Sequence, residues 1–158
     1  MTVEAVRRAV VADVSAIAEL ERAARAGIAD ARGGAAALAE TPPHDDWATV
    51  LVDPTRHVFV ATIDDVVLGY LELVLPTTGG LGGTWLVRQV YVDPGARELG
   101  LGDDLLGAAI DAARVGGGAA IESWALPGDR DTKNLFERAG VTARKLIVAK
   151  RLDGPTPA

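Results

Sequence analysis

The residues with the most chemical content lie between Val87 and Ile110. They read Val-Arg-Gln-Val-Tyr-Val-Asp-Pro, then Gly-Ala-Arg-Glu-Leu-Gly-Leu-Gly, then Asp-Asp-Leu-Leu-Gly-Ala-Ala-Ile. A β-rich run therefore passes through an Arg-x-x-Gly-x-Gly loop (Arg97, Gly100, Gly102) into a helix with one apolar face. A glycine loop that opens a helix leaves the first N–H groups without intrahelical acceptors, at the positive end of the helix dipole. Such a place binds a phosphate or pyrophosphate with little help from side chains. Two familiar phosphate motifs are absent. There is no Gly-Lys-Ser/Thr, and Leu105 stands where a dinucleotide fingerprint has its third glycine.

Proton-transfer chemistry has its own candidates. Glu72 and Glu122 sit inside apolar runs, and strand alternation places Glu72 on one face with Tyr70 and Val74, and Glu122 with Trp124. A carboxylate so placed either borders a cavity, with a shifted pKa, or lies at an exposed sheet edge. His57 opens a strand, as a base or as a surface histidine. Tyr70 and Tyr91 are the only phenols and Ser123 is a further hydroxyl; Tyr91 either serves chemistry or packs in the sheet.

These groups need a framework. Val3 to Val11 is β-prone, and Asp13 reads as the N-cap of a helix to about Ala26, with Val14, Ile17, Leu20 and Ala24 on one face. Residues 27–43 are rich in alanine and glycine and fit either a helix broken at Gly33-Gly34 or a loop. Asp45 and Asp46 start a short helix that Pro54 prevents from continuing. A hairpin follows, His57 to Ile63 and Val66 to Leu75 around Asp64-Asp65. Pro76 to Gly83 reads as a flexible connection and Trp85 to Val92 as a third long strand. The helix after the glycine loop runs from about Gly100 to Val115. Ala119 to Leu126 is then a strand, Asp131 to Ala139 a helix stopped by Gly140, and Val141 to Leu152 a last strand. A strand–helix–strand crossover around the loop makes part of the sheet parallel. The prediction is one domain over residues 1–152, an α/β chain of α+β type with a central mixed sheet flanked by helices on both faces, and a disordered tail over 153–158.

Composition narrows the function. A chain of 158 residues with 49% hydrophobic residues and 24% charged ones fits one soluble domain. A net charge of −6 argues against a nucleic-acid partner. Absence of cysteine excludes disulfides, thiolate metal sites and a cysteine nucleophile, and the two histidines, His44 and His57, share no metal-ligand spacing. No signal peptide or membrane-length apolar run is seen, so a cytoplasmic protein is expected.

The element order and the run from Val87 to Val141 resemble the GCN5-related N-acetyltransferase (GNAT) superfamily. Arg97-Glu98-Leu99-Gly100-Leu101-Gly102 matches its Arg/Gln-x-x-Gly-x-Gly/Ala signature, preceded by Tyr91-Val92-Asp93-Pro94. Asp129, Thr132, Leu135, Phe136, Glu137, Arg138, Gly140 and Val141 occupy the places of its C-terminal motif. The resemblance implies acetyl-CoA, or another acyl-CoA, seated in a splay of the sheet, and no metal. It implies that N–H groups of Leu99, Gly100, Leu101 and Gly102, with Asp103 and Asp104, hold the pyrophosphate, and that Arg97, Glu98 and Phe136 also lie against the cofactor. The edge of the Arg88 to Val92 strand would pair with the pantetheine arm, and a main-chain N–H near Val90 and Tyr91 would face the thioester oxyanion. The acceptor would be a primary amine of a small molecule or protein, attacking directly, with Glu72, Glu122 and Tyr91 as candidates for moving protons. A homodimer is compatible with the resemblance. Two departures stand out. Phe136 occupies the place of a tyrosine that commonly protonates the departing thiolate, and Asp103 follows the second glycine, where a carboxylate repels a pyrophosphate unless it points away or caps the helix. They motivate a second reading, a CoA-binding sensor or interaction module with little or no catalysis.

Overall fold

A computed structural model describes residues 2, 4–76 and 83–153. Val3, most of the expected connection at Pro76–Gly83, and residues 154–158 of the expected tail lie outside the described residues. Among the described residues, five strands form one sheet in the order β1-β2-β3-β4-β5: β1 (Glu4–Arg8), β2 (Arg56–Ile63), β3 (Val66–Val74), β4 (Thr84–Val92) and β5 (Ala120–Glu122). The first three pairings are antiparallel and β4–β5 is parallel, so the sheet is mixed as expected. The β2–β3 turn holds Asp64 and Asp65 at φ 48° and 66°, the left-handed region in which Asp is tolerated and which suits a tight hairpin.

Helices cover both faces. α1 (Val14–Ala29) and α3 (Trp47–Val52) pack on one face, where Ile17, Leu20, Trp47, Val50, Val58, Val60 and Tyr70 are buried together. α4 (Leu101–Val115) lies on the other, and Leu101, Leu105, Leu106, Ala109 and Ala113 meet Leu71, Leu73, Trp85 and Val87. Their 3–4 spacing is the amphipathic stripe read from the sequence, and each fully buried leucine contributes about 1.5–3 kcal/mol. α2 (Gly34–Glu40) fills the ambiguous alanine-rich stretch, and Gly33, at φ 80°, separates it from α1. α5 (Arg130–Arg138) packs on α4; Asp129 caps it, accepting from the Thr132 N–H at 3.0 Å, and Gly140 follows at φ 78°.

Three sequence expectations differ from the structure. Asp13 does not cap α1 with its side chain. A short 3-10 turn, Val11–Asp13, precedes the helix, and the carboxylate turns back to the Val10 N–H at 2.8 Å and to Arg7 at 2.7 and 2.9 Å. β5 stops at Glu122 rather than Leu126, because the next residues leave the sheet. Residues 141–152 form no strand. β5 is too short to offer them a ladder, and Leu146, Ile147, Val148 and Leu152 are between 82% and 91% exposed.

Candidate active site

The cleft begins where β4 and β5 part. Backbone pairing ends at Leu86 opposite Glu122. Beyond it, side chains replace the ladder: the Ser123 hydroxyl donates to the Val87 carbonyl at 2.9 Å, and the Trp124 indole N–H donates to the Arg88 carbonyl at 3.0 Å. A β-bulge makes both carbonyls available on that side. Glu72 lies opposite Gln89 but Leu73 lies opposite Val87, so Arg88 is the extra residue of β4. After the bulge ordinary alternation resumes. Asp93 donates its N–H to Leu68 on β3 at 2.7 Å, so Tyr91 also turns its backbone groups to β3, while Val90 and Val92 turn theirs to the open side. The result is a wedge with an unpaired strand edge as one wall.

The glycine loop closes one end of this wedge. Pro94–Leu99 makes a 3-10 turn capped by Asp93, and Gly100 at φ 80° redirects the chain into α4. That left-handed φ strains any residue with a Cβ. The first helical bond runs from the Asp104 N–H to the Gly100 carbonyl at 3.1 Å, so the N–H groups of Leu101, Gly102 and Asp103 stand ahead of it. Gly102 fits against α5, where a Cβ would lie 3.4 Å from Leu135. Arg97 pins the loop to the strand. Its Nε donates to the Val92 carbonyl at 3.1 Å, and its guanidinium lies 5.5 Å from the centre of the Tyr91 ring. The cleft has a volume of about 840 Å³. Its lining includes Val90, Tyr91, Val92, Arg97, Glu98, Leu99, Gly102, Asp103 and Phe136 among the residues expected to hold a cofactor. Gly100, Leu101 and Asp104 do not line it; Leu101 is fully buried in the core, and the Asp104 N–H is engaged.

The candidates for proton transfer separate in space. Glu72 is fully buried on the α1–α3 face beneath the cleft. Its carboxylate accepts from Arg56, from Arg88 Nη1 at 3.0 Å and from His44 Nε2 at 2.9 Å. Burial pushes its pKa up, but the His44 hydrogen bond and the nearby Arg88, His44 and Arg56 charges outweigh burial and hold it below the usual carboxylate range. Glu72 is therefore ionised at neutral pH, with three donors around its carboxylate. Glu122 is exposed on β5 and does not line the cleft. Tyr91 does line it. Tyr70 is fully buried and its hydroxyl has no partner among the described residues, and burial, first, then the Glu21 and Glu72 charges push its pKa far above the ordinary phenol value. His57 packs on the α4 side, edge-on to Trp85 at 5.7 Å, where desolvation and Arg8 lower its pKa.

Sequence reasoning missed the network around Glu72. Arg88 lines the cleft, also touches His44 Nε2 at 3.1 Å, and donates to the Pro42 carbonyl. The His44 ring stands edge-on to Trp47 at 4.7 Å, and Trp47 donates its indole N–H to buried Glu21 at 2.8 Å. His44 and Glu72 are 28 positions apart, so no local spacing signals their contact; the one clue is a glutamate in an apolar strand. Phe136, 6% exposed, joins the apolar core beside the cleft, and Asp103, in the first turn of α4, is held by Arg138 through two bonds of 3.0 and 3.1 Å.

The sequence matches the model of the "Acetyltransferase (GNAT) family" over residues 18–141. No curated protein matches it significantly. Solved structures do resemble the fold. An aminoglycoside acetyltransferase, meta-AAC0020, from an uncultured soil metagenomic sample, in complex with sisomicin, aligns over 96% of this chain and 97% of its own at 16% identity, with a TM-score of 0.72. AAC(6')-Iy in complex with the bisubstrate analog CoA-S-monomethyl-acetylneamine aligns over 94% and 99% at 17% identity, with a TM-score of 0.67. A transcriptional regulator from Bacillus halodurans aligns over 95% and 100% at 17% identity, with a TM-score of 0.69.

Proposed function

This chain belongs to the acetyltransferase (GNAT) family, and from that premise we propose that it transfers an acetyl group from acetyl-CoA to a primary amine by direct attack in a ternary complex. The observation that carries this reading is the wedge between β4 and the segment after β5, which runs unbroken into the N-terminal mouth of α4. Each part matches a part of the cosubstrate. The N–H groups of Gly102 and Asp103, both in the lining, suit a pyrophosphate. The open edge at Val90 and Val92 offers strand-like hydrogen bonds to an extended amide-bearing arm. The Val90 N–H, turned to the cleft, suits the oxyanion that develops at a thioester carbonyl.

The residues past Val90 describe the acceptor end. Arg88, Trp124, Gly27 and Ile28 line it. Glu72 acts here by position: it fixes Arg88 and His44, and its buried carboxylate, engaged by three donors, is not offered as the base. An alkyl ammonium, with a pKa of about 10, must lose its proton before attack, and the open cleft gives that proton a path to water. Of the two phenols only Tyr91 lines the cleft, which makes it the candidate donor to the departing thiolate. A thiol pKa of about 8.5 also lets that group leave as the anion. The sequence contains no cysteine to hold an acyl intermediate, which favours direct attack.

Thiol release from acetyl-CoA, followed across a panel of amines, tests the reading; amine-dependent release supports it. Phe136 favours a second reading, because phenylalanine has no proton to give. Calorimetric binding of acetyl-CoA without release across a broad panel would assign the chain as a CoA-binding module.

A further inference from the structure

We infer that Arg138 masks the charge of Asp103 and so makes the α4 mouth fit for an anion, an inference that rests on the cofactor reading above. Asp103 lies in the first turn of α4, where its charge favours the helix: Gly100 supplies no side-chain cap, and an acid beside the open N–H groups offsets the dipole. The same charge opposes a pyrophosphate bound to those N–H groups. The two demands conflict in a cleft that is already acidic, since Glu98, Asp103, Asp129 and Asp131 line it against Arg88, Arg97 and Arg138.

The geometry resolves the conflict. Arg138, at the end of α5, reaches across to α4 and donates from Nε to Oδ1 at 3.0 Å and from Nη2 to Oδ2 at 3.1 Å. This two-pronged contact orients the carboxylate as well as neutralising it. The other cations lining the cleft are committed elsewhere: Arg97 to the Val92 carbonyl and the Tyr91 ring, Arg88 to Glu72. With side chains 57% and 46% exposed, the Arg138–Asp103 pair adds little to folding.

Masking makes a prediction that direct phosphate contact does not. CoA binding is measured by calorimetry for the wild-type chain, Asp103→Asn, Arg138→Gln and the double variant, at low and high salt. Arg138→Gln exposes a bare carboxylate and weakens binding by roughly tenfold at low salt, with the loss shrinking as salt screens it. Asp103→Asn keeps the main-chain N–H and removes only the side-chain charge, so it binds as well as the wild type or better, and the double variant follows Asp103→Asn. Arg138→Lys recovers most of the affinity. A double variant as weak as Arg138→Gln would overturn masking and make Arg138 a phosphate ligand; unchanged binding in Arg138→Gln would overturn it as well. Failure of the wild-type chain to bind CoA would remove the cofactor reading, and the masking with it.

Discussion

Replacing Glu72 by glutamine tests the buried network most directly. The variant keeps the size and shape of the side chain but removes the charge that faces Arg56, Arg88 and His44. Breaking a buried pair by removing one partner costs about 3–5 kcal/mol, because the surviving charge is left uncompensated. Here the partners keep some water, Arg56 at 26% and Arg88 at 12% exposed, so the lower end applies, about 3 kcal/mol. In a chain of this size that lowers Tm by roughly 6–12 °C. The pH dependence gives a second test. The folded carboxyl is held below its unfolded value, so its stabilising effect is complete above the unfolded pKa and is lost as pH falls through the folded one. Urea titrations of both proteins at pH 7 and at steps down towards pH 3 should therefore show a gap that narrows on acidification. A variant within 1 kcal/mol of wild type at pH 7 (about the noise of two extrapolations), or a gap that does not change with pH, would refute the ionic account of Glu72.

Three further outcomes are expected. Gly102→Ala should fold and keep CoA binding, since its Cβ meets Leu135 at ordinary contact distance, whereas Gly102→Glu should fold but lose binding by calorimetry. Phe136→Tyr should raise kcat by roughly tenfold with little change in KM if a proton donor limits the reaction; an unchanged kcat would show that Tyr91 or water already serves. Gly116→Ala and Gly118→Ala should each destabilise the chain by about 1–3 kcal/mol in denaturant melts, because a Cβ would come within 2.4 and 2.7 Å of Trp85.

What the sequence revealed follows the range of the interactions involved. The loop and α4 were legible because a glycine pair, a flanking β run and a 3–4 apolar stripe are all local. The β2–β3 hairpin was legible because Asp64-Asp65 sits between two alternating runs. The wedge was implied only by the family resemblance and not by the residues themselves, because it depends on a bulge at Arg88 and on Ser123 and Trp124 bonding to carbonyls 36 positions away. Without those contacts, residues 123–126 simply read as more strand. The Asp103 departure looked adverse from sequence because its partner, Arg138, lies 35 positions downstream. Residues 141–152 show the reverse error: β propensity alone predicted a strand where the sheet supplies no neighbour.

That last segment has a consequence for the chain's behaviour in concentrated solution. Leu146, Ile147 and Val148 form an unbroken apolar triplet facing water, the composition from which intermolecular cross-β stacks grow. Arg144 and Lys145 precede the triplet, and Lys150 and Arg151 follow it after one alanine. Two such segments brought into register would stack like charges on both flanks, so the cations act as gatekeepers against self-association.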